Sequence, residues 1–261
     1  MCYDISFTVS IPELTDYFPD LIFDEQIEIN FDGTHIMGHG YGTHPIIYRY
    51  QEDKLLHCRT MEWGCIPFYV KEEKTFLRQR ATMLNARSER ILEDSKSYWF
   101  KIRNSRCLIP VSGFYEHREV KGWKKKAPYF IRLSAQPLFF IPGLYSVTEL
   151  PDLETGEMIR RWTYALITRN ANSVMRDIHN GGDNKGRMPL LLPYNMAVDF
   201  LTEALSPERY KEILDYEMPS EELIYHPVFT IRSPKLRPDD QPKSAPWEWE
   251  KLPALGELNP E

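Results

Sequence analysis

The chain breaks into many short β-branched and aromatic runs, separated by helices of uneven length and spacing, and this irregularity constrains the fold most. Repeated βαβ units would need strand and helix to alternate at a steady interval. The strand-like runs are Pro45 to Tyr50, Leu55 to Pro67, Arg106 to Val111, Tyr129 to Leu133, Leu138 to Val147, Trp162 to Thr168, Met188 to Leu192 and Leu223 to Phe229. Helices are predicted just after Ser10-Ile11-Pro12 and over Glu93 to Asn104, Asn172 to Ile178, Pro193 to Leu205 and Pro207 to Tyr216. The last two carry proline at or near the first turn, where its missing N–H costs nothing. Gly38 to His44 reads as a loop, and Gly113 as a bend into Phe114-Tyr115-Glu116. The pattern predicts one α+β domain over residues 1–236, with a mostly antiparallel, barrel-like β core and peripheral helices. Residues 237–261 are Pro-rich and acidic and read as a tail that is disordered or lies on the surface.

With 261 residues and 42% hydrophobic content, the chain can bury a substantial core. No apolar run is long enough to span a bilayer, and the first residues lack a basic-then-apolar leader. A cytoplasmic home and no membrane partner are therefore expected. Cys2, Cys58, Cys65 and Cys107 should then be free thiols. Their spacing is not that of a paired CxxC zinc site, so neither metal nor cofactor is expected. The net charge of −6 argues at first against nucleic acid. Its distribution argues the other way, because residues 71–132 hold 16 basic and 7 acidic side chains. That excess fits a local face for a polyanion, or charges spread over solvated surfaces.

Cys2 follows the initiator Met1. Cysteine is small enough to allow removal of Met1, which leaves an α-amine and a thiol on adjacent carbons. In model compounds these titrate near ~8 and ~8.5. An aldehyde forms an imine with the amine, and the thiol closes it into a thiazolidine ring at high effective concentration. With Met1 attached, the Cys2 nitrogen is an amide and forms no imine.

Three further segments carry reactive groups at the ends of apolar runs: Asn85-Ala86-Arg87-Ser88-Glu89, Ser112-Gly113-Phe114-Tyr115-Glu116, and Ile178-His179 with Arg187-Met188-Pro189. Each has a plain alternative. Asn85 could cap a helix beside a solvated Arg87, Glu116 could pair with a nearby lysine, and His179 could end a helix.

In their order, these blocks resemble the SRAP family, the SOS-response-associated peptidase-like proteins that crosslink to abasic sites in single-stranded DNA. The blocks are Met1-Cys2, Trp63 to Pro67, Asn85 to Glu89, Arg106 to Glu116, Thr168, Ile178-His179 and Arg187 to Pro189, so the likeness runs from residue 1 to about residue 230. It implies that Cys2 is the nucleophile, with Asn85, Glu116 and His179 as active-site partners. It implies that Arg87 and Arg187 hold phosphates, that Thr168 lies at the site, and that Trp63 lies near exposed bases. The implied partner is single-stranded DNA with abasic sites, met by a monomer.

The chemistry of such a set is coherent. An abasic deoxyribose is mostly a closed hemiacetal, which an acid and a base must open. Glu116 could serve as either, and His179 could shuttle protons. Arginine forks suit phosphates, and aromatics such as Trp63 and Phe68 could stack on unpaired bases. Two departures stand out. Many members follow the cysteine with Gly-Arg, whereas this chain has Tyr3-Asp4. Six residues, Gly181 to Gly186, also separate Asn180 from Arg187, where the family pattern is nearly continuous. A glycine-bearing bulge would leave both ends in place. The acidic stretch 12–30 is expected to lie away from DNA. Two other readings remain open: a thiol peptidase or amidohydrolase built on Cys2, His179 and Glu116 or Asn85, and a noncovalent single-strand binding module.

Overall fold

Five strands close into a barrel because the last of them pairs back, in parallel, with an early one. The computed structural model describes residues 2–24, 27, 33–152, 154–233 and 236–257. Its strands are β1 (Asp4–Ser6), β2 (Ile22–Phe23), β3 (Ile36–Met37), β4 (Thr43–Arg49), β5 (Leu56–Trp63), β6 (Asn85–Arg87) and β7 (Arg106–Val111). They continue as β8 (Gly113–Arg118), β9 (Ala127–Leu133), β10 (Phe139–Pro151), β11 (Met158–Asn170), β12 (Arg187–Pro189) and β13 (Leu223–Pro227). The sheet order β11-β10-β7-β4-β5 is closed by β5 against β11, with Tyr164 opposite Trp63. Among the described residues every strand pairing is antiparallel except β5–β11, β6–β11 and β2–β5. A second sheet, ordered β13-β9-β8-β1-β3, carries the N-terminal strand between β8 and β3. The architecture is the expected single α+β domain with a barrel-like, mostly antiparallel core.

Alternation along the barrel strands explains the closure. Ile46, Tyr48, Met61, Trp63, Cys107, Ile109, Phe139, Ile141, Tyr164 and Leu166 belong to one buried cluster. Their neighbours Ile47, Cys58, Leu108, Phe140, Leu144, Ala165 and Ile167 belong to another, which also holds Met196, Phe200, Tyr210 and Ile213 from the helices Tyr194–Phe200 and Pro207–Asp215. The helix-covered face is therefore the outside of the barrel, and the first cluster is its filling. Gly143 marks the crowding inside, since a Cβ there would come 2.4 Å from Ile109.

Several sequence expectations need correction. Glu93 to Asn104 is not one helix. Asp94 accepts from the backbone of Lys96 through its side chain and of Ser97 through its carbonyl, which turns the chain, and only Tyr98–Lys101 is helical behind the Ser97 cap. Gly113 is no bend but the first residue of β8, and a side chain there would collide with Phe130. Asn85–Arg87 is strand β6 and not a helix cap, paired residue by residue with Leu166–Thr168. The helix Glu73–Arg80 was not foreseen. Of the 12–30 stretch, Tyr17 and Phe18 pack on Phe140 and Tyr194, on the helix-covered side of the barrel; residues 25, 26 and 28–30 lie outside the described set.

The C-terminal tail lies on the surface and is firmly attached up to residue 257. Trp247 donates its backbone N–H to Pro227, and Trp249 donates its indole N–H to the Val228 carbonyl at 2.9 Å. Arg237 grips Asp239 and the carbonyls of Ala245 and Pro246. Residues 258–261 lie outside the described set. No described helix is long and apolar enough to cross a membrane.

Candidate active site

Strand β1 sits antiparallel to β8, with Asp4 opposite Tyr115, and this brings the residues preceding β1 alongside Glu116. Cys2 lies just before β1 at 0% exposure, and its carbonyl accepts a 2.9 Å hydrogen bond from Asn85 Nδ2. Asn85 is held by the pairing of β6 with β11, so the barrel wall positions the amide that grips the N-terminus. Asn85 Oδ1 is buried without a partner among the described residues. Burial, then the charges of Glu116 and Asp4, push the Cys2 thiol well above its ordinary value. At neutral pH it is a thiol and not a thiolate.

Glu116 is buried in β8, and burial raises its carboxyl to about 8. Its Oε1 has no partner among the described residues. Oε2 stands 3.9 Å from His179 Nε2. His179 follows the helix Ser173–Ile178, which Asn172 caps by accepting from the Met175 N–H at 3.0 Å. Burial lowers the imidazole to about 4, so the ring is neutral. Its Nδ1 lies 2.7 Å from the carbonyl of Arg187. A carbonyl accepts only, so Nδ1 carries the proton and Nε2 keeps a lone pair facing Glu116. A protonated carboxyl and a neutral imidazole thus meet beside Cys2.

These groups open into a cavity of about 760 Å³. Glu116 and His179 line it with Tyr3 and His117; Lys125, Lys126 and Arg232 add cationic groups, and Trp123 and Trp249 add aromatic walls. Gly181, Gly182, Asp183 and Asn184 of the inserted segment line the same cavity, Asp183 as an acidic group among the cationic ones, and the Gly186 N–H donates to the His179 carbonyl at 2.8 Å. The loop therefore closes on itself and leaves His179 and Arg187 in contact. Asn184 of that loop accepts from the exposed Arg87 at 3.1 Å. Position 4, where an arginine was expected, holds a buried aspartate instead. Asp4 accepts from His35 at 2.8 Å and from Arg232 Nε at 3.0 Å. Burial opposes its ionisation, but those two hydrogen bonds hold the carboxyl below its ordinary range.

The family model for SOS response associated peptidase (SRAP) matches residues 1–231. The chain belongs to the SRAP family. The abasic site processing protein YoqW of Bacillus subtilis is 31% identical to it over 170 residues, which cover 61% of this chain and 68% of that protein. The abasic site processing protein HMCES of Gallus gallus is 29% identical over 190 residues, 66% of this chain and 52% of that one. A crystal structure of a protein from Bacteroides thetaiotaomicron has the same fold, with a TM-score of 0.72 and 25% identity over 87% of this chain and 92% of that one.

Four expected residues of this SRAP chain, Cys2, Asn85, Glu116 and His179, come together. Others have different surroundings from those expected. Trp63 is 1% exposed, stacked on Tyr164 inside the barrel, with its indole donating to the Leu84 carbonyl at 2.9 Å, so it offers no face to a base. Phe68 and Tyr69, a few residues on, are exposed. Arg187 is buried and committed to Glu89, to Asn170 Oδ1 at 2.9 Å and to the Thr168 carbonyl at 2.8 Å. A phosphate would have to displace those partners, so Arg187 is a strut that presents its carbonyl to His179. Thr168 is fully buried, with its carbonyl accepting from Arg187. Arg87 alone of the expected DNA-contacting residues is exposed beside the cavity. The sequence reading missed Arg232, His117 and Trp249. His117 adjoins Glu116 and could have been found; Arg232 and Trp249 carry no local signal.

Proposed function

We propose that this protein processes abasic sites in single-stranded DNA by forming a covalent thiazolidine between the sugar aldehyde and Cys2, after Met1 has been hydrolysed away. The observation that carries this reading is the convergence of Asn85, Glu116 and His179 on Cys2. The family and the printed names of the relatives support an abasic-site substrate, and the cationic cavity supports a polyanion.

The steps follow from the protonation states. Protonated Glu116 gives a proton to the ring oxygen of the hemiacetal while His179 Nε2 takes the proton of the anomeric hydroxyl, which frees the aldehyde. The α-amine of Cys2 adds to that carbonyl, and water leaves to give the imine. The free acceptor on Asn85 holds the amine in line. The thiol then adds across the C=N bond: a C–S bond forms, and the thiol proton ends on the ring nitrogen. Amine attack comes first, because it creates the C=N carbon to which the neighbouring thiol adds.

Incubation of the Met-processed protein with single-stranded DNA carrying one abasic site, followed by a denaturing gel, tests the proposal. A retained band that is lost in Cys2→Ala is expected, together with an intact mass lacking Met1. Binding without any retained band would leave only the noncovalent reading.

A further inference from the structure

Three cavity residues lie beyond the family match, which ends at residue 231: Arg232, Ser233 and Trp249. Arg232 and Trp249 are rigidly mounted. Asp4, itself buried and fixed by His35, takes the Nε and Nη2 edge of the Arg232 guanidinium. Nη1 has no partner among the described residues, and the side chain is 41% exposed. The charge therefore stands at the cavity wall, pre-oriented, on the side of the N-terminal strand. A guanidinium held in this way loses little rotamer freedom when an anion arrives. Trp249 is fastened by its indole N–H to Val228 and stacks on Phe229, with ring planes 9° apart. Trp123 flanks it at 6.0 Å. Lys125 and Lys126 share the cavity and add positive charge.

We propose that Arg232 and Trp249 form a nucleotide subsite beside the reacting sugar, in which Arg232 holds a backbone phosphate and Trp249 stacks on the neighbouring base. The subsite rests on the reading of the cavity as a single-stranded DNA site. The Nη1 donor that Asp4 leaves open suits a phosphate oxygen, and an indole face suits any base, which gives binding without sequence preference. The missing base leaves its own space empty, so the nearest stacking partner is the base on one flank.

The test uses processed full-length protein and three oligonucleotides: one abasic site flanked by bases, one with a second abasic residue on the 5′ side, and one with it on the 3′ side. Arg232→Gln should weaken binding about tenfold and lower the magnitude of the log–log salt slope by about 0.7, one phosphate's share on a single strand. Trp249→Ala should weaken binding about tenfold to the flanked site and erase the preference for a base on one flank, whereas Trp249→Phe should keep most of it. Wild-type affinity and an unchanged salt slope in Arg232→Gln, or an unaltered flank preference in Trp249→Ala, would overturn the subsite while wild type still crosslinks. Absence of an adduct with the wild-type protein would overturn the parent reading and the subsite together.

Discussion

His179 Nε2 stands 3.9 Å from Glu116 Oε2, and burial shifts the two groups in opposite directions. The carboxyl is raised to about 8 and the imidazole lowered to about 4, so across the neutral range an acid faces a base with neither charged. This is the reverse of an ion pair, and it suits a site that must both give and take a proton.

The pH dependence of stability follows from the same shifts. A carboxyl that ordinarily titrates near 4.5 but is raised to about 8 in the fold contributes stability below pH 4.5, which is lost as pH rises toward 8. His179, lowered from 6.5 to about 4, contributes stability above pH 6.5, which is lost as pH falls toward 4. Glu116→Gln should remove the high-pH loss, so urea unfolding at pH 5 and pH 8.5 should differ less in the variant than in wild type. An equal difference in both would mean that Glu116 ionises normally. Crosslinking by wild type should also decline above about pH 8 as the acid is lost.

Asn85→Ala removes the hydrogen bond to the Cys2 carbonyl and the free acceptor beside the amine. The adduct should form about tenfold more slowly, the equivalent of about 1.4 kcal/mol, with a small loss of stability. Single-turnover gels measure the rate, and thermal unfolding separates it from misfolding.

The two arginines should part company. Arg187→Ala breaks a buried fork whose partner Glu89 is itself 46% exposed, so a loss of about 1–2 kcal/mol is expected, seen as a lowered Tm. Arg87→Ala should leave Tm unchanged and reduce the salt slope of DNA binding by about 0.7. A slope change in both, with stability intact, would return Arg187 to the phosphate-contacting set.

Trp63→Ala should destabilise the fold by about 3–5 kcal/mol, because it empties the barrel beside Tyr164. A selective loss of DNA affinity at unchanged Tm would contradict that assignment.

All four cysteines are buried thiols outside any disulfide. A thiol reagent should therefore label the native protein slowly and all four thiols only on unfolding, with mass mapping to locate each label. Fast labelling of Cys2 in the native protein would show that its thiol is neither buried nor raised.

Local sequence carries an element when the element is made locally. Arg106–Val111 is a strand with the bounds that its apolar run suggests, and Asn172 visibly caps the helix that ends at His179. Strand β6 is different: Asn85–Arg87 is extended only because Leu166–Thr168 offers a free edge. Trp63 lies in the strand that its apolar run suggests, but the resemblance put it near bases, and only the closed barrel shows that its ring is turned inward.

Cys2, Asn85, Glu116 and His179 were legible from sequence, since ordered blocks of residue types persist along a chain whatever lies between them. Their protonation states were not, because those depend on how much water the packed barrel and second sheet exclude. Nor was the role of Asp4, which gains its meaning from Arg232, 228 positions away and joined to it only when the chain's two ends meet across the second sheet. Side-chain chemistry is written residue by residue, whereas burial and long-range pairing are properties of the closed fold.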